Sequence, residues 1–191
     1  SQCDYAKALD YYFRALKIDE ALGDEYAIAF DHEKIGSVFV EQKNYSVAID
    51  YFFKALKVFE EFKDESQIAS VLRNIGFVYT KAGKFEESEA YLKNAIAIYD
   101  RIGALDELRL GEEYLFQLYD TTGKYQLALE HYKLAMVLKD SIFSEEKGKE
   151  MTRKEMNYDF EKKEAATKAE QDKKDTVTKI IIYSVSAGFA L

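Results

Sequence analysis

The sequence predicts an all-α fold: a solenoid of stacked helical hairpins with a 40-residue period, followed by a long charged helix. Three observations carry that prediction. Residues 25–64, 65–104 and 105–144 align without a gap, and residues 5–24 match the second half of the same unit. Equivalent places hold Tyr5, Tyr45, Phe85 and Tyr125; Ala8, Ala48, Ser88 and Ala128; Tyr12, Phe52, Leu92 and Tyr132; and Ala15, Ala55, Ala95 and Ala135. A repeat in the range of about 20–50 residues marks units that bury their apolar faces only against their neighbours. The chain of 191 residues also contains no proline, which would remove a helical hydrogen bond and clash with the preceding turn. Finally, 48% of its residues are apolar, with 13 Phe and 15 Tyr standing in for the absent Trp, so there is ample material for a core.

Taken in order, residues 1–24 read as half a repeat, entered at Tyr5 in the second helix of a unit. The chain is therefore expected to be an excerpt of a longer protein, because solenoid ends are ordinarily capped by polar surface. Three full repeats follow, at 25–64, 65–104 and 105–144. Their first helices are expected over 26–42, 66–82 and 106–122. The second helix is clearest over 45–62, where Tyr45, Ala48, Ile49, Phe52, Ala55, Leu56 and Phe59 keep the i, i+3, i+4, i+7 spacing. Phe53, Val58 and Phe62 add a second apolar face, as a helix sandwiched between others requires. Gly83 and Gly123 are placed to end helices in the left-handed conformation, with Asn44 expected to do similar work in the first unit. Gly23 and Gly103 mark turns between units, and Lys63 and Phe143 stand at the equivalent places.

These residues resemble the tetratricopeptide repeat. Ile35-Gly36, Phe39, Ala48, Phe52 and Ala55 have its spacing; Ile75-Gly76, Tyr79, Ser88, Leu92 and Ala95 repeat it; and Leu115-Phe116, Tyr119, Ala128, Tyr132 and Ala135 repeat it again. The resemblance covers residues 1–144. Departures are Phe116 and Ser88 for the expected Gly and Ala, His32, Leu72 or Glu112 for the usual Trp, and Glu60, Asp100 or Asp140 for the late Pro.

After Ser144 the composition changes. Residues 145–175 hold 19 charged residues of both signs, and pairs such as Glu150–Lys154 and Asp159–Lys163 favour a solvated linker helix over 145–179. A thin seam of Met151, Tyr158, Ala165 and Ala169 leaves a homodimer through this helix open. Residues 180–191 are then 12 uncharged residues in a row. Spanning a bilayer takes about 20, so the run reads as the start of a transmembrane helix flanked by Lys173, Lys174 and Lys179. The alternative is a short apolar helix that docks on the repeats.

The net charge of −8 falls on the repeats, where 17 Lys and Arg face 25 Asp and Glu; residues 145–191 carry 10 of each. An acidic array argues against nucleic acid, whose phosphates demand a basic stripe. Cys3 is alone, so no intrachain disulfide forms and the compartment stays open. His32 and His131 stand at different places in their units, without zinc-ligand spacing, and no phosphate loop or nucleophile elbow is present. No catalytic, cofactor or metal site is expected, and the segment itself is not read as an enzyme.

What remains is a surface. The resemblance implies that the first helices line a concave groove for a protein or peptide ligand. It would present Phe30, Glu33, Ser37 and Val40; then Ser70, Arg73, Asn74, Phe77 and Lys81; then Glu113, Gln117 and Asp120. Asn74 would grip a ligand's backbone and Arg73 a carboxylate, by resemblance. With its tail (EMNYDFEKKE at 155–164, then the apolar run), the arrangement resembles Bacteroidetes-type membrane-anchored signal-transduction proteins. That implies a single-pass bacterial membrane protein with extracytoplasmic repeats and an output module outside this chain, a histidine kinase or PP2C-type phosphatase. The rival expectation is a soluble, cytoplasmic scaffold for complex assembly.

Overall fold

A computed structural model describes residues 5–188, with side chains from residue 159 onward described only at 160, 161, 164, 167, 168 and 171. The described residues form seven helices: α1 (Tyr5–Leu22), α2 (Glu25–Glu41), α3 (Tyr45–Glu61), α4 (Glu65–Lys81), α5 (Phe85–Ile102), α6 (Leu105–Thr121) and α7 (Tyr125–Gly188). Their starts recur at 5, 45, 85 and 125 and at 25, 65 and 105, so each unit is an antiparallel hairpin. The chain divides into two compact units, Ser1–Ile142 and Phe143–Leu191.

The hairpins in the first unit are closed by six short turns, each with one left-handed residue. Four are Gly23, Gly83, Gly103 and Gly123, and two are Lys43 (φ 60°) and Lys63 (φ 56°). Asn44 does not do this work: its φ is −88°, and it sits at the N-terminus of α3 without a side-chain cap. The left-handed position falls one residue earlier, in register with the glycines, because the turn geometry is common to all units. Phe143, one period after Gly103, lies within α7 and makes no turn. Asp24 and Asp64 cap α2 and α4 through Ala27 N and Gln67 N. Asp64 also accepts the Tyr26 hydroxyl at 2.5 Å, tying α2 to the start of α4, and that hydroxyl holds the Asp64 carboxyl below its ordinary range.

Small residues set how closely helices approach. A Cβ on Gly36 would lie 2.8 Å from the Phe52 ring and 3.2 Å from the Ala48 carbonyl; one on Gly76 would lie 2.7 Å from the Leu92 side chain. Ala48, Ala55, Ala95 and Ala135 are all buried. Ser88 is buried as well, its Oγ donating to the Gly76 carbonyl at 2.7 Å and sharing a 2.6 Å bond with Thr80 Oγ1. A hydroxyl is tolerated at an alanine position because it is satisfied. At Phe116 no such relief exists. Its ring meets that of Tyr132 at 5.5 Å, and Tyr132 is 44% exposed where Phe52 and Leu92 are 1% and 0%.

The core runs through the first unit. Phe52, Leu56 and Phe59 of α3 pack against Val71, Ile75 and Val78 of α4, and Leu92 of α5 against Leu115 and Leu118 of α6. Ala95 and Tyr99 meet Ala69 and Leu108. His32, at the usual Trp position, lies against the Tyr51 ring at 5.6 Å; burial lowers its pKa, and Lys54 adds to this. Glu112, two periods further along, instead bonds His131 Nδ1 at 2.5 Å.

One buried carboxylate opposes this packing. Asp31 Oδ2 is buried without a hydrogen-bond partner. Its pKa is pushed up to about 6, first by burial and then by the neighbouring Asp19 carboxylate of α1. The folded state therefore holds this proton more tightly than the unfolded chain, and stability falls as pH rises from the ordinary carboxylate range to about 6. The penalty is full above that pH and absent well below it. Asp31→Asn should raise the melting temperature at pH 7.5, and its advantage over the parent should shrink steadily towards pH 4.5. An advantage independent of pH, followed by circular dichroism, would contradict the assignment.

In the second unit, exposed i, i+4 ion pairs join Glu145 to Lys149 at 2.6 Å and Glu150 to Lys154 at 2.8 Å. Met151 and Tyr158 are exposed; Asp159–Lys163, Ala165 and Ala169 fall outside the described side chains. Among the described residues no helix is long and apolar enough to cross a membrane. The apolar run 180–191 lies outside the residues whose side chains are described.

Candidate peptide-binding face

The 40-residue period places Glu33, Arg73 and Glu113 at one level of α2, α4 and α6, and Ser37, Phe77 and Gln117 one turn further on. In the structure α4 touches both α2 and α6, so these levels form a continuous face within the first unit.

Its centre is polar and braced. Glu33 is buried, and its Oε1 accepts from Asn74 Nδ2 at 3.2 Å and from Ser70 Oγ at 3.4 Å. A carboxylate only accepts, so it turns the NH2 end of the Asn74 amide towards itself and sends the carbonyl Oδ1 the other way. Ser37 spends its hydroxyl on the Glu33 carbonyl at 2.9 Å. Beside Asn74 a cavity of about 160 Å³ is lined by Ser37, Val40 and Glu41 of α2, Phe52 of α3, Asn74 and Phe77 of α4, and Tyr114 of α6. The Phe77 and Tyr114 rings meet at 5.2 Å, and the exposed Lys81 ammonium lies 5.1 Å above Phe77.

The other expected residues are distributed differently. Arg73 lays its guanidinium over the Tyr99 ring at 5.8 Å, and its Nε is buried without a partner. Burial pushes Tyr99 up to about 12, while Arg73 pulls the other way. Phe30 packs edge-on against Phe59 at 5.1 Å and against Tyr26 at 5.2 Å, within the core. Glu113 pairs with Arg109 at 2.5 Å. Gln117 and Asp120 are exposed, and Asp120 borders a different cavity. The structure thus brings Ser37, Ser70 and Asn74 together around Glu33, sets Phe77 beside Asn74 in the cavity, and leaves Phe30 apart. Tyr114, Glu41 and Phe52 were missed. Tyr114 stands one period after Asn74, so the register alone was enough to find it. Among the described residues no group of three or more His, Cys, Asp or Glu is placed to hold a metal.

Residues 67–139 match the family model of the tetratricopeptide repeat. Among solved structures the chain is similar to BtubC (BKLC) from P. vanneervenii, with 23% identity and a TM-score of 0.66 over 72% of this chain and 57% of that one. It is also similar to aspartyl phosphate phosphatase F from Bacillus subtilis, with 24% identity and a TM-score of 0.68 over 73% of this chain and 37% of that one. Similarity to MamA is weaker, at 14% identity and 0.52 over 74% and 81%. The chain thus spans little more than half of the first of these proteins and under half of the second. No curated protein matches it. The fold is all-α and tetratricopeptide-like.

Proposed function

We propose that the face made by α2, α4 and α6 binds an extended segment of a protein partner. The observation that carries this is the convergence of three repeats on one cavity, with an oriented amide at its edge. Asn74 Oδ1 would accept from a backbone N–H of the ligand, and the walls of Phe52, Phe77 and Tyr114 would take one apolar side chain. Glu33 acts through Asn74 by fixing the amide. Arg73 is a poor choice for probing the site, because its loss disturbs the contact with Tyr99.

The test begins with capture of a partner by the immobilised chain, followed by titration of that partner against Tyr114→Ala and Asn74→Ala. Each is expected to weaken binding about tenfold or more if its contact lies at the centre of the interface. Affinity unchanged in both would move the site off this face.

The signalling assignment rests on the sequence. A stretch with 19 charges in residues 145–175 precedes 12 uncharged residues, and this order favours a membrane anchor over a plain scaffold. On this reading the repeats are the sensing or docking part of a membrane-anchored signal-transduction protein. Its kinase-like or phosphatase output lies outside the chain. Expressed from its complete reading frame, the protein should fractionate with membranes and be released by detergent but not by salt. Recovery in the soluble fraction alone would leave the scaffold.

A further inference from the structure

The second surface is the open side of the last hairpin. In the two preceding repeats the equivalent side is covered by the next helix: α4 covers α3 through Val71, Ile75 and Val78, and α6 covers α5 through Leu115 and Leu118. In the last hairpin the chain runs helically through Phe143 as part of α7, where the preceding repeats turn into the next helix. The last hairpin holds a cavity of about 310 Å³ lined by Phe116 and Asp120 of α6 and Tyr125, Ala128, Leu129 and Tyr132 of α7. Tyr125 is 70% exposed and Leu129 51%. Single exposed apolar residues are ordinary, but a contiguous set around a cavity marks an interaction surface.

We propose that this face binds a second copy of the same chain, α7 against α7, within residues 125–142. Three features select that occupant. The repeat-stacking interface shows what the face accepts, a helix bearing an apolar row at i, i+3 or i+4, and i+7. Segment 125–142 is itself such a helix, with Tyr125, Leu129, Tyr132 and Met136 on one side. It therefore satisfies in its twin the requirement that it leaves open in itself, which is the condition for a two-fold interface. Charge agrees: the chain carries −8 overall, but this segment has Glu130 and Asp140 against Lys133 and Lys139. Two copies meet here across a neutral stretch, where the acidic helices of the array would repel.

Sedimentation velocity of the 191-residue chain, from about 1 to about 200 µM, reads the association directly by mass action. A monomer–dimer equilibrium is expected. Leu129→Glu and Tyr132→Glu should each raise the dissociation constant about tenfold or more, by burying a charge opposite an apolar face. Leu134→Glu, on another side of the helix, should leave it unchanged. Circular dichroism melts of all three variants separate loss of association from loss of fold, and the two stripe variants stand in for each other if one unfolds. A chain that stays monomeric throughout overturns the proposal. So does a dimer indifferent to both stripe substitutions, which would place the contact elsewhere, for example along residues 145–175.

Discussion

Phe59→Ala should cost about 3–5 kcal/mol, the range for deleting a fully buried aromatic side chain. Phe59 is completely buried, and the Tyr26 and Phe30 rings meet it edge-on at 5.6 and 5.1 Å. The cavity has little room to collapse, because Tyr26 is held by its bond to Asp64 at the start of α4. Since neighbouring repeats stabilise one another, the loss should spread from the first full repeat to the second. It is a large share of the ~5–15 kcal/mol that a domain of ordinary stability has. Urea denaturation followed by circular dichroism measures it. Phe53→Ala, at a partly exposed position of the same helix, should cost much less; equal costs at the two sites would refute the assigned faces of α3.

Ala95→Leu should destabilise by about 1–3 kcal/mol through overpacking. Ala95 is fully buried at the junction of α4, α5 and α6, where it meets Ala69, Tyr99 and Leu108. Leucine adds three carbons at this fully buried position, so α4 or α6 must move away. Lys57→Leu on the exposed side of α3 is the control, and surface changes of this kind usually stay within about 0.5 kcal/mol. An unchanged melting temperature for Ala95→Leu would show that the 40-residue register is misplaced.

Why the period was readable follows from this packing. Each hairpin solves the same problem against its neighbour, so Ala55, Ala95 and Ala135 recur wherever helices touch, and Gly36 and Gly76 wherever a Cβ would strike the facing side chain. The helices and turns were accordingly accessible from spacing alone. Where the sequence broke its own pattern, spacing was silent on the outcome. Ser88 turned out to be harmless, because its hydroxyl donates to the Gly76 carbonyl and its oxygen shares a hydrogen bond with Thr80 Oγ1. Phe116 did not, and it accompanies an exposed Tyr132. The left-handed residue at the first hairpin is Lys43 and not Asn44, since turn register outweighed the residue preference.

The sequence by itself determined the all-α class, the hairpin unit, the identity of the tight contacts and the charge of the helix that follows. All of these rest on short-range periodicity and composition, which act on residues a few positions apart. Only the tertiary structure decided what the polar side chains do. Asn74 reaches Glu33 across 41 positions, Tyr26 reaches Asp64 across 38, and Arg73 spends its guanidinium on Tyr99. A hydrogen bond or a cation–π contact depends on distances of a few ångströms between side chains on separate helices. Such distances follow from how the repeats stack, and no spacing within one repeat encodes them.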